Sequence, residues 1–149
     1  MKIIKSKIIE IDKGKNFTVV NPVNIYGAKF GDNCFVGPFT EIQKNVVIGS
    51  NTKIQSHSFI CELVNIGKNC FIGHGVVFIN DKFEEQKPAY GKKHKWKSTK
   101  INSNVYIGSN CTILPVEICS NVVIGAGSVV TKSIKIQGKY AGNPAKKLK

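Results

Sequence analysis

The sequence predicts an all-β fold, a parallel β-solenoid of six-residue repeats, and three observations carry that prediction. A large apolar residue recurs at every sixth position. A small or β-branched residue sits four positions further on. Asparagine and glycine mark the places where such a chain must turn.

The large apolar series runs Phe30, Val36, Ile42, Ile48, Ile54, Ile60, Ile66, Ile72 and Phe78. It breaks at Asp81 and resumes at Ile101, Ile107 and Ile113. One residue is then missing, and it continues at Ile118, Ile124 and Val130. A period of six does not keep one face of a 3.6-residue helix, so a helical reading fails. It fits short strands, each ending in a tight corner. Three strands then make one triangular coil of 18 residues, and about five coils are visible. Coils stack as parallel ladders roughly 4.8 Å apart. The large residue and its small companion, such as Cys34, Thr40, Val46, Thr52 or Ser58, fill the interior.

Length and composition agree with one domain, 1–149. No apolar run approaches a membrane span, and the opening MKIIKSKIIEIDKGK is too broken by lysine for a signal peptide. The expected location is cytoplasmic, without membrane insertion. The net charge of +13 favours anionic partners. The basic residues are dispersed lysines without a nucleic-acid motif, which argues against nucleic acid. Five cysteines without paired short spacings argue against a disulfide framework or a zinc site. Cys34, Cys70 and Cys111 fall on the small interior position, as buried fillers.

Residues one coil apart form columns, so the corners can be compared. The first corner reads Asn33, Asn51, Asn69, Asn104 and Asn121. Asparagine tolerates the left-handed backbone a corner needs, and stacked side-chain amides fit that column. The second corner reads Phe39, His57, Gly75, Asn110 and Gly127, preceded by Pro38, Ser56, His74, Ser109 and Ala126. Phe39 and His57 are not the turn formers of choice, so this edge is the candidate site. The third corner reads Asn45, Leu63 and Asp81. An insertion, 82–99, leaves there and carries Tyr90, His94, Trp96 and several lysines. Loops of that length in compact domains are usually functional or disordered. Here a function is expected, because a lone exposed Trp96 needs a surface to cover.

Four segments carry a resemblance to a known family. They are KIQSHSFICE (Lys53 to Glu62), FIGHGVVFINDKF (Phe71 to Phe83), ILPVEICSNVVIGAGSVVTK (Ile113 to Lys132) and YAGNPAK (Tyr140 to Lys146). Over roughly Val23 to Lys146 the chain resembles the left-handed β-helix acyltransferases of hexapeptide repeats. Within them it is most similar to the N-acetyltransferases acting on dTDP-linked 3-amino-3,6-dideoxyhexoses, whose products enter bacterial surface polysaccharides. The resemblance implies a left-handed helix, a short C-terminal tail (137–149), and a homotrimer with active sites between subunits. It also implies acetyl-CoA as co-substrate and no metal.

The expected acceptor is a nucleotide-linked amino sugar. His57 is then the candidate catalytic base, because the attacking amine must be neutral. Phe39, His74, Asn80, Asp81 and Lys82 are candidate substrate contacts. Gly75, Ser109, Ala126 and Gly127 are expected along the pantetheine arm, with Ala126 and Gly127 offering amides. Lys132 and Lys146 are expected at the CoA phosphates. Related enzymes acting on UDP-linked 3-amino uronates have Asn in place of His57, and commonly Pro-Arg where this chain has Lys82 and Phe83. A UDP-linked amino-sugar N-acetyltransferase is one alternative. An O-acetyltransferase acting on a small sugar, serine or antibiotic is another, and would want a loop histidine beside a carboxylate. A zinc enzyme on this fold would need three histidines. His57, His74 and His94 do not have that family's spacing. A non-catalytic scaffold would leave Phe39, His57 and the insertion unexplained.

Overall fold

The structure is a computed structural model and describes residues 7–149. Residues 1–6, the start of the lysine-broken segment, lie outside them. The chain winds as a left-handed parallel β-helix of about seven turns with three walls. The first wall stacks Ile8–Ile9, Asn24–Tyr26, Glu41–Ile42, Phe59–Ile60, Val77–Phe78, Thr112–Ile113 and Val129–Val130. The second stacks Asp12–Lys13, Lys29–Phe30, Val47–Ile48, Val64–Ile66, Thr99–Ile101 and Glu117–Ile118. The third stacks Thr18–Val19, Phe35–Val36, Lys53–Ile54, Phe71–Ile72, Tyr106–Ile107, Val122–Ile124 and Gly138–Ala141.

The interior follows from the repeat. Every residue of the large apolar series is buried, and so are the small companions from Cys34 to Ser128. The small position also bonds to backbone across coils. Thr52 Oγ1 donates to the Gly67 carbonyl at 2.9 Å and Ser58 Oγ to Gly73 at 3.0 Å. Cysteine does the same at lower strength: Cys70 Sγ lies 3.2 Å from the Asn102 carbonyl. These thiols are interior hydrogen-bonding fillers, and burial pushes those of Cys34, Cys70 and Cys111 above the ordinary range. Burial raises Cys61 further, to about 12. Where glycine follows a large residue, as at Gly31, Gly49 or Gly108, it lets the next coil lie close. A Cβ on Gly108 would stand 2.5 Å from the Ala126 nitrogen.

The first corner is an amide ladder. Asn16 donates to Asn33, Asn33 to Asn51, Asn51 to Asn69, Asn69 to Asn104 and Asn104 to Asn121, at 2.9 to 3.3 Å. All six residues have φ between 53° and 62°. One side chain thus satisfies the strained backbone and ties neighbouring coils.

Three boundaries differ from the sequence expectation. Coils begin before Val23, at Ile8, because Ile8 pairs with Ile25 and Lys13 with Phe30. Lys13 holds a large apolar slot there and hides the repeat. Phe17, in the small slot, fills the space instead and lies 4.6 Å from Phe30 between ring centroids. The insertion gives way to strand at Thr99, which pairs with Val64 and is buried. The tail is not wholly outside the helix. Gly138–Ala141 pairs in parallel with Val122–Ile124, and Lys146–Lys147 folds back antiparallel on it.

Candidate functional site

The second corner lies between the third and first walls. Phe39, His57, Gly75, Asn110 and Gly127 all have φ between 58° and 69°, so the column is a true corner. Phe39 holds this conformation while 59% exposed. Its centroid is 4.9 Å from that of His57, tilted by 32°. A bulky non-glycine residue in the left-handed region costs about 1–2 kcal/mol, and asparagine is the ordinary remedy. Phe39→Asn is therefore expected to raise stability by about 1 kcal/mol. Thermal unfolding checks this, and a lowered melting temperature would show that the ring holds the fold. An exposed aromatic kept at such a cost is a mark of function.

The two histidines differ. His74 Nδ1 lies 2.8 Å from Ser56 Oγ of the neighbouring coil. When the hydroxyl donates to Nδ1, Nε2 carries the ring proton and is left as a donor. The ring nitrogens of His57 make no hydrogen bond among the described residues, and the ring is exposed. One imidazole is thus fixed and the other has no hydrogen-bond partner among the described residues, in adjacent coils roughly 4.8 Å apart.

The backbone amides of this corner also divide. His57 N–H donates to Pro38, Gly75 to Ser56, Asn110 to His74 and Gly127 to Ser109, at 2.7 to 3.0 Å. The Gly127 amide, expected to serve a ligand, is therefore already committed to the preceding coil. The amides one residue earlier, of Ser56, His74, Ser109 and Ala126, have no partner among the described residues. At the first corner the equivalent amides of Asp32 and Lys68 are taken by Ser50 and Ser103 hydroxyls. The first-corner amides of Ser50, Ser103 and Ser120 also lack a partner among the described residues, so the second corner differs in that its column of free donors is uninterrupted. Space for a ligand is open there: nothing lies within 4 Å of a Cβ built on Gly127. At Gly75 the Asn110 amide oxygen already lies 2.5 Å from such an atom. Beside Phe39, a cavity of about 280 Å³ is lined by Pro22, Val23, Asn24, Thr40 and Glu41.

Asn80, Asp81 and Lys82 belong to the third corner, between the first and second walls. The six-residue step from Gly75 to Asp81 separates them from the histidines by up to about 20 Å. One chain does not bring the two groups together. Asp81 accepts from the Phe83 amide at 3.0 Å and, through its other oxygen, from Ala89 at 2.7 Å. It thereby turns the chain into the insertion. Asn80 Nδ2 donates to the Glu62 carbonyl at 3.2 Å. Lys82 is exposed and, with Ile79, Asp81, Phe83 and Leu114, lines a cavity of about 270 Å³.

Within the insertion, Trp96 is half-buried, and the Lys93 ammonium lies 5.6 Å from its ring centroid. His94 is exposed. Lys132 and Lys146 are exposed near the last coil. No group of three or more His, Cys, Asp or Glu side chains is placed to hold a metal ion among the described residues. No helix there is long and apolar enough to cross a membrane.

Sequence reasoning missed two contacts. The Ser56–His74 bond was legible, because both residues precede the second corner in adjacent coils. The pairing of Glu62 with the insertion was not, since a period says nothing about where an irregular segment lies.

The comparisons with known proteins agree with this architecture. The chain matches the family Bacterial transferase hexapeptide (six repeats) over residues 27–62. It matches the Hexapeptide repeat of succinyl-transferase over 63–79 and 99–132. Together these span more than half of the sequence, and the chain belongs to the hexapeptide-repeat transferases.

Among curated proteins it is 34% identical over 133 residues to the bifunctional protein GlmU of Acetivibrio thermocellus, covering 89% of this chain and 25% of that one. The chain thus spans about a quarter of the length of such relatives. Among solved structures it is similar to a variant of AntD, an N-acyltransferase from Bacillus cereus, in complex with dTDP-4-amino-4,6-dideoxyglucose and coenzyme A. The TM-score is 0.82 at 23% identity, over 94% of this chain and 83% of that one. It is also similar to a hexapeptide-repeat acetyltransferase of Vibrio cholerae complexed with acetyl coenzyme A. There the TM-score is 0.70 at 24% identity, over 83% and 70% of the two chains.

Proposed function

We propose that this protein transfers an acetyl group from acetyl-CoA to the 3-amino group of a dTDP-linked 3-amino-3,6-dideoxyhexose, for bacterial surface polysaccharide. The observation that carries the reading is the second corner: an unpaired imidazole, a fixed imidazole and a run of free backbone amides on one edge. Membership of the transferase family and the coenzyme A and nucleotide-sugar complexes of its structural neighbours support it.

In this reading the amine attacks the thioester carbon and its proton passes to His57. The tetrahedral oxygen takes hydrogen bonds from free corner amides, of which those of Ser56 and His74 belong to the base's own coil and the next. The carbon–sulfur bond then breaks, and the thiolate takes up a proton. Phe39, His74, Asn80, Asp81 and Lys82 contact the sugar nucleotide. The pantetheine arm follows Gly75, Ser109, Ala126 and Gly127, and Lys132 and Lys146 meet the CoA phosphates. The free amides on this route are those of Ser109 and Ala126. Because the second and third corners of one chain lie a wall apart, the complete site needs a second subunit's insertion. That supports a homotrimer with shared sites.

The test is mass spectrometry of dTDP-3-amino-3,6-dideoxyglucose and its 4-epimer after incubation with acetyl-CoA. One added acetyl group on either is expected. Unchanged sugar nucleotides, with acetylation of neither, would overturn the reading.

A further inference from the structure

The insertion is fastened to the helix at a point the proposed reaction leaves unused. Lys93 Nζ lies 2.9 Å from both oxygens of Glu62. Glu62 is 8% exposed, at a place just before the third corner where a solenoid needs no charge. Hydrogen bonding to this carboxylate holds the Lys93 ammonium above the usual lysine range. The other ion pairs of the insertion, Lys87–Glu85, Lys95–Glu85 and Lys97–Glu84, stay within it. Lys93–Glu62 is the one ion pair, among the described residues, that joins insertion to solenoid.

Glu62 is itself held from the wall. Its N–H donates to Gln43 Oε1 at 3.2 Å, and Gln43 Nε2 donates to Glu41 Oε1 at 3.0 Å. Its carbonyl accepts from Asn80, at the entrance to the insertion. Lys93 lies toward the insertion's other end, next to Trp96. A single buried residue therefore grips both limbs: the entrance through its carbonyl, the returning limb through its carboxylate. Two long exposed side chains would make a weak pair. Here one partner is already immobile and shielded, so less freedom is lost on pairing.

We propose that Glu62 and Lys93 are positioning residues that latch the insertion, and that the latch sets affinity for the amino-sugar substrate. The second half of the proposal rests on the reading of function above, while the first half stands without it.

The experiment compares wild type with Glu62→Gln and Lys93→Arg. Chymotrypsin cleavage at Tyr90 and Trp96 reads the latch without substrate, and circular dichroism confirms that the solenoid is folded. Glu62→Gln is expected to speed cleavage and to raise KM for the amino sugar roughly tenfold. Its kcat and its KM for acetyl-CoA should stay near wild type. Lys93→Arg keeps the charge and the bidentate geometry, and should behave as wild type in both assays. Unchanged cleavage of a folded Glu62→Gln protein would overturn the latch. Faster cleavage with an unchanged amino-sugar KM would overturn its link to the substrate. Wild-type protein that acetylates no amino sugar would count against the function alone, since the cleavage arm still judges the latch.

Discussion

His57→Asn is expected to lower kcat/KM for the amino sugar by about 10²–10⁴-fold, the usual worth of a positioned base. Asparagine is the cleaner substitution because the position has φ 62°, which asparagine adopts readily and alanine does not. The backbone bond from residue 57 to the Pro38 carbonyl, at 3.0 Å, is kept. The melting temperature should therefore hold, and acetyl-CoA binding with it, since the expected pantetheine route runs through the later coils. His74→Asn is expected to do less. That ring is already committed to Ser56 through one nitrogen, so it can hold a substrate but cannot use that nitrogen as a base. Steady-state kinetics on both variants check the assignment. Activity of His57→Asn near wild type at neutral pH would remove His57 as the base.

The largest effect on stability is expected at Phe78. Its side chain is fully buried, and it is the last apolar residue of the series before the insertion. The next amide, of Ile79, still donates to Ile113 across the gap at 2.9 Å. Phe78 thus fills the interior where the chain departs and must return. Phe78→Ala leaves a cavity between coils held by ladders on three walls, which cannot close up around it. The expected loss is about 3–5 kcal/mol. Chemical denaturation should show a lower midpoint with an unchanged slope. A loss below about 1 kcal/mol would mean that the coils on either side of the insertion are held by something other than this packing.

The fold was legible because a solenoid writes its geometry into the sequence once per turn. Phe30 to Val130 gave the walls, and the asparagine column gave one corner, including the amide stacking. The first coils were hidden because Lys13 holds the large slot and Phe17 the small one, which breaks the pattern. The second corner stood out because Phe39 and His57 occupy backbone that favours asparagine or glycine. Ser56 and His74 could be seen as neighbours for the same reason of spacing. The amide census could not. Whether Gly127 N–H is free depends on which carbonyl of the preceding coil faces it, and that is a matter of three-dimensional register. Lys93 could not be assigned to Glu62, because an irregular segment of alternating lysines offers several equivalent partners.

If this edge of the helix acylates a nucleotide-linked 3-amino sugar, acetyl-CoA is consumed only when such a sugar is present. Thiol release from acetyl-CoA, measured against dTDP- and UDP-linked 3-amino and 4-amino sugars side by side, tests it most directly. Turnover with a dTDP-linked 3-amino-3,6-dideoxyhexose is expected to be well above that with the 4-amino and UDP-linked compounds. No thiol release with any of the four would contradict it, and preferred turnover of a 4-amino sugar would contradict the assignment of the acceptor amine.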